Sequence, residues 1–223
     1  LKSKLSPEEK SRIDQVPTQN LEAYTLYKKG KEKYYEYTED GYRESIDYYK
    51  RALSVDPMFA LAYSGLGDSY GQLYSNTRDT LYRDLGFASA EKSLKIDENL
   101  AEGYKALGLL FAYTGDSNNS LKYNLKTIQL KPGFSDAIGN VGLRYRNKGD
   151  LSEALEWYKK AHEMDPFNRR NHWHIGFTYE LLGENEIAEA LYLEGLLKHN
   201  DSFECLTGLV YYHLNFSRSN KAK

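Results

Sequence analysis

The chain has 223 residues, 30 of them basic and 32 acidic for a net charge of -2, with 40% hydrophobic and 28% charged side chains. That balance is too apolar for a disordered chain and too neutral to favour nucleic acid or an anionic membrane as a general partner. No run of 18 apolar residues occurs, and the lone Cys205 allows neither an internal disulfide nor a four-ligand zinc site, which fits the cytoplasm and leaves the periplasm open.

From the N-terminus, Ser6-Pro7-Glu8-Glu9 supplies a capping residue, a proline at the first helical position and a glutamate at the third, which predicts a short helix ending before Pro17. Pro17-Thr18-Gln19-Asn20 then reads as a linker, so residues 1–19 are expected to be an N-terminal helix and a connection to a domain upstream. The opening Leu1-Lys2-Ser3-Lys4-Leu5 has neither an initiator Met nor a signal-peptide core.

A first helix pair is expected over residues 20–59, with Leu26, Gly30 and Tyr34 on its first helix. Ser45, Tyr49 and Ala52 fall on its second, and Tyr37-Thr38-Glu39-Asp40-Gly41 forms the turn. Further pairs follow over 60–100, 101–134, 135–168 and 169–202. Their small residues Gly67, Gly108, Gly142 and Gly176 are spaced 41, 34 and 34 apart. Each is preceded by an apolar residue (Leu66, Leu107, Val141, Ile175) and followed three residues on by an aromatic (Tyr70, Phe111, Tyr145, Tyr179). Pro57, Pro132 and Pro166 keep the same metre.

Three departures carry expectations of their own. Seven extra residues between Tyr74 and Leu85 imply an inserted turn or a lengthened helix pair. Ser120, Asn124 and Thr127 stand where small or aromatic residues belong, which predicts a loosely packed second helix in that pair. Asn200 replaces the closing proline of the fifth pair; one more helix is expected over 203–215, with Val210 at the glycine position, before a polar tail at 216–223.

These spacings resemble the tetratricopeptide repeat, a 34-residue helix-turn-helix unit, over roughly residues 20–215. Val141, Gly142, Tyr145, Ala154, Tyr158, Ala161 and Pro166 occupy its apolar, small, aromatic and proline positions in one unit. The resemblance implies an all-α, right-handed superhelical solenoid of about five repeats plus a C-terminal capping helix, about twelve helices in all and no strand. In such a unit the small residues let the two helices approach, and the rings fill the space between repeats.

A second resemblance rests on Leu5-Ser6-Pro7-Glu8-Glu9-Lys10, Pro17-Thr18, Asn20-Leu21-Glu22-Ala23-Tyr24 and Leu26-Tyr27-Lys28-Lys29-Gly30. These stretches are similar to the junction preceding tetratricopeptide arrays in bacterial multidomain proteins, namely class III adenylate or guanylate cyclases, Ser/Thr kinases and winged-helix regulators. It implies a signalling or assembly module whose catalytic or DNA-binding part lies upstream.

Little in the chain itself promises chemistry. His172 and His174 lie two apart on a helix and point in different directions, so they cannot share one ion. Gly65-Leu66-Gly67 sits inside a helix with no strand before it and is packing, not a phosphate loop. Cys205 reads as a small core residue, and no nucleophile elbow occurs. No enzyme activity, cofactor or metal is expected.

The tetratricopeptide resemblance also implies a concave groove, and carries over to it Ser64, Asp68 and Gln72; Glu102, Lys105, Leu109 and Tyr113; Asp136, Asn140, Leu143, Arg146 and Asn147; Arg170, Trp173, His174, Phe177 and Glu180; and Tyr211. Trp173, with Phe177 one turn on and Tyr211 on the adjacent helix, stands out as either a peptide anchor or a cover for the seam between repeats. Lys105, Asn140, Arg170 and His174 occupy four of the five places at which family members clamp a C-terminal carboxylate; Leu109 fills the fifth. The expected function is a non-catalytic scaffold that binds a protein or peptide in this groove. The alternative is a self-association module controlling an attached cyclase, kinase or transcription factor.

The 21 tyrosines divide along the same lines. Tyr49, Tyr63, Tyr70, Tyr104, Tyr145, Tyr158, Tyr179 and Tyr192 fall on repeat positions as core filler. Tyr24, Tyr27, Tyr34, Tyr35, Tyr37, Tyr42 and Tyr48 crowd the first unit, where no earlier repeat exists to bury them. That end is therefore expected to dock on an upstream domain or on a second copy of the chain.

Overall fold

The computed structural model describes residues 17–198 and 205–213. The helix expected from Ser6, the position of Asn200 and the tail at 216–223 lie outside these residues. The described elements are α1 (Leu21–Tyr34), α2 (Glu39–Val55), α3 (Ala60–Thr77), α4 (Thr80–Ile96), α5 (Ala101–Tyr113), α6 (Ser117–Leu130), α7 (Ser135–Lys148), α8 (Leu151–Met164), α9 (Arg169–Leu181) and α10 (Asn185–Lys198). A last helix, α11, spans 205–213, and no strand occurs among the described residues. The chain forms two compact units, Leu1–Tyr123 and Asn124–Lys223, so the division falls within α6.

Successive helices pack as hairpins, α1 with α2, α3 with α4, α7 with α8 and α9 with α10. Polar side chains set the starts: Asn20, Thr38, Asp79 and Asn168 each accept a backbone N–H from the first turn of the helix they precede. Thr38 as a cap moves the first hairpin's turn upstream of the sequence expectation. Gly41 is helical, and a Cβ there would lie 2.7 Å from the Lys33 carbonyl. The residues read as a linker are fastened too, because Thr18 Oγ1 donates to Asp56 Oδ2 at 2.5 Å.

The extra residues of the second pair lengthen both of its helices, to 18 and 17 residues, instead of forming a separate element. The first helices of the next three pairs end on Gly115, Gly149 and Gly183, spaced 34 apart, with φ of 86°, 90° and 83°. Glycine reaches this left-handed backbone without the Cβ clash of other residues. In the two irregular pairs Tyr37 (φ 56°) and Arg78 (φ 59°) adopt it instead.

Within a hairpin the predicted small residue meets the predicted ring. A Cβ on Gly142 would lie 2.9 Å from Tyr158, and one on Gly176 2.8 Å from Tyr192. The same second-helix side chain also faces the next hairpin, always at the residue sixteen positions on. Tyr49 meets Gly65 and Tyr192 meets Gly208, each so closely that a Cβ on the glycine would come within 2.7 Å of the ring. Ala90 and Ala106 are both fully buried in one cluster, Asn140 Nδ2 donates to Asn124 Oδ1 at 3.2 Å, and Tyr158 stacks on His174 at 4.7 Å. Large faces small, medium faces medium, and the one pair too large to nest lies flat.

That pairing corrects two expectations. The second helix carrying Ser120, Asn124 and Thr127 buries all three almost completely, with Ser120 Oγ donating to the Gly108 carbonyl at 2.9 Å, so hydrogen bonding replaces the missing apolar contact. The crowded tyrosines of the first unit also largely find cover without an earlier repeat. Tyr34 and Tyr42 are buried, and Tyr27 packs on Tyr49 and Phe59 at 5.7 and 5.2 Å. Tyr24 and Tyr35 remain exposed.

Candidate functional site

In the first unit the residues assigned to the groove turn toward one another. Ser64, Asp68, Gln72, Lys105 and Leu109 are all buried. The Lys105 ammonium donates to Asp68 Oδ2 at 2.5 Å and lies over the Tyr34 ring at 5.5 Å. Gln72 joins two phenols, its amide donating to Tyr34 and its carbonyl accepting from Tyr113. The clamp expectation gave Lys105 a carboxylate from a ligand; the structure sets beside it the carboxylate of Asp68, 37 residues earlier in the same chain.

The second unit differs. Arg146 on α7 is half-buried among rings, its guanidinium carbon 5.7 Å from the centre of Tyr158, 5.4 Å from Trp173 and 5.0 Å from Phe177. Trp173 and Phe177, one turn apart on α9, are parallel within 4° at 5.3 Å. Both are half-buried, and both also pack against the cluster of Ala188, Tyr192 and Leu209. Trp173 and Phe177 thus help close the packing between α9, α10 and α11 while part of each ring stays exposed.

Arg146 Nη1 lies 3.4 Å from His174 Nδ1. A guanidinium only donates, so Nδ1 accepts and the imidazole proton sits on Nε2. Burial first, then the charges of Arg170 and Arg146, hold the His174 pKa well below the ordinary 6.5, so this ring is neutral at physiological pH. A neutral imidazole does not supply the positive charge that the clamp reading asked of it. Burial also pushes the Arg146 pKa down, while the nearby Arg170 charge works in the same direction.

The remaining candidates scatter around this centre. Asn140 is committed to Asn124, Leu143 packs against the cluster of Ala154, Leu155, Tyr158 and Ile175, and Asn147 is exposed on the last turn of α7. Arg170 is half-buried at the start of α9. Tyr211 is 60% exposed and makes no ring contact with Trp173. Glu180 accepts from Tyr192 at 3.0 Å, and Asp136 from Asn168 at 3.4 Å. His172 turns the other way, against His162 at 4.7 Å, and no group of three metal-ligating side chains gathers among the described residues. None of the described helices is long and apolar enough to cross a membrane.

Sequence reasoning set Phe177 beside Trp173 but missed that Arg146 and His174 meet them. It also missed Tyr158 as the floor of the site, having read that ring as core filler alone. The signal was present in the sixteen-residue offset from Tyr158 to His174.

Comparison with known proteins agrees with this fold. A family model described as TPR repeat, the tetratricopeptide repeat, matches residues 142–183. The chain is 24% identical over 190 residues to anaphase-promoting complex subunit CDC16 of Saccharomyces cerevisiae, covering 82% of this chain and 22% of that protein. Among solved structures it is similar to TTC0263, a thermophilic TPR protein of Thermus thermophilus, with a TM-score of 0.71, 15% identity, and 86% and 99% of the two chains covered. It is also similar to YrrB, a TPR protein with an unusual peptide-binding site, with a TM-score of 0.50, 19% identity, and 91% and 97% covered. The repeat metre, the nested small and aromatic residues and these likenesses together give the chain the all-α helix-pair fold of tetratricopeptide-repeat proteins, with residues 142–183 matching the repeat itself.

Proposed function

We propose that the chain is a non-catalytic scaffold that captures a segment of a partner protein on the face formed by α7 and α9. The observation that carries this reading is the parallel Trp173–Phe177 pair, half-buried and roofed by Arg146, since large amphipathic side chains in such settings concentrate binding energy. Selection of a random dodecapeptide library on the chain tests it. Trp173→Ala with Phe177→Ala is expected to weaken the selected peptides about 30-fold or more while helicity by circular dichroism is retained. Unchanged binding by the double variant removes the assignment of this face.

Self-association is the second reading, favoured by Leu21, Tyr24 and Tyr35, all exposed along α1 and its end. Sedimentation should then show a dimer that dissociates on dilution, and a strict monomer ends it. Service to a longer signalling protein belongs to the proposal as well and rests on the junction resemblance of residues 5–30; the adjoining sequence decides it.

A further inference from the structure

The two units hold their cations in comparable settings with one difference. In the first, Lys105 lies over the Tyr34 ring and its charge is met by the carboxylate of Asp68, from the same chain. In the second, Arg146 lies over three rings, and no carboxylate among the described residues is within ion-pair distance of it. Its one side-chain hydrogen-bond partner among those residues is the neutral His174 ring, and Arg170 adds a second positive charge nearby. A half-buried cation is costly unless it is paired, and rings compensate only part of that cost. A guanidinium presents five N–H donors in a planar fork, so most of its capacity remains for a planar acceptor arriving from outside.

We infer that Arg146 is the recognition point for a carboxylate side chain of the bound segment, an Asp or Glu of the partner that stands where Asp68 stands for Lys105. The inference rests on the proposed protein-binding function and names the chemistry of its ligand. Trp173 and Phe177 would take an apolar residue flanking the acid. The ligand sought is therefore an acidic–apolar peptide, and the acidic residue lies within the segment instead of being the terminal carboxylate of the clamp reading. A protein ligand is favoured over nucleic acid because the chain as a whole is slightly acidic, with 32 acidic against 30 basic residues.

The experiment is selection of the random dodecapeptide library on the wild-type chain, on Arg146→Gln and on Trp173→Ala/Phe177→Ala, followed by affinity measurements on wild-type-selected peptides with each Glu or Asp changed to Gln or Asn. The wild type should select an acidic residue at a fixed distance from an apolar one, and its replacement by the amide should weaken binding about 10-fold or more. Arg146→Gln should lose that discrimination while still binding the amide peptide, and Arg146→Lys should recover part of it, keeping the charge without the fork. Selection of the same acid-free peptides by the wild type and Arg146→Gln overturns the inference and leaves the proposed face standing if binding still needs Trp173 and Phe177. Selection that ignores all three residues overturns both. A single-stranded RNA dodecamer that binds through Arg146 and displaces the peptides reassigns the cage to nucleic acid and overturns the carboxylate assignment.

Discussion

The His174 imidazole lies flat on Tyr158 at 4.7 Å and accepts from Arg146, an arrangement that only its neutral form allows. Its folded pKa is depressed, so between that value and the ordinary 6.5 the unfolded chain binds the extra proton. Stability of the second unit should therefore be fully present above about pH 6.5 and fall as the pH drops below it. Urea unfolding followed by Trp fluorescence at a series of pH values reads this directly, and His174→Gln should flatten the acid limb. An unchanged slope in that variant would place the acid sensitivity elsewhere. The adjacent phenol responds in the opposite sense: burial raises the Tyr158 pKa to about 12, so it stays protonated throughout.

Helices here are positioned by matched small and large residues. In three hairpins a glycine of the first helix lies against a ring of the second, as with Gly142 against Tyr158. The sixteen-residue step brings that ring against the next hairpin, so each second helix is packed from two sides. Ala154 is fully buried in the cluster with Leu155, Tyr158 and Ile175, so a larger side chain there must displace its neighbours. Ala154→Leu should destabilise the second unit by about 1–3 kcal/mol, measured as a shift in the urea midpoint. No shift would mean that α7 and α8 can separate at little cost.

At the scale of the molecule the two units divide the labour differently. The first commits its inward-facing polar residues to itself, through Asp68 with Lys105 and Gln72 with Tyr34 and Tyr113. The second sets Arg146 over three rings, with no carboxylate partner for it among the described residues. Repeat proteins pass perturbations mainly to nearest neighbours. Hydrogen exchange of Ala154→Leu should accordingly show lost protection in α7–α10 and unchanged protection in α1–α4; uniform loss would indicate a single cooperative unit.

The fold was legible in the sequence because its determinants are local and periodic. Glycines and rings recurring at 34 or 41 residues fix helix pairs without knowledge of any distant contact. Legibility failed where polar residues replaced apolar ones, as at Ser120, Asn124 and Thr127, since a hydrogen bond between two buried polar groups leaves no hydrophobic trace. The candidate site was half legible. Repeat position pointed to Lys105 and Arg146 alike, but only the tertiary structure set Asp68 beside the first and aromatic rings around the second. Which cation is available depends on whether side chains 37 residues apart converge, and neither charge counts nor spacing encodes that. The sequence alone determined an array of helix pairs; the packing of its side chains decided which cation has a carboxylate beside it among the described residues.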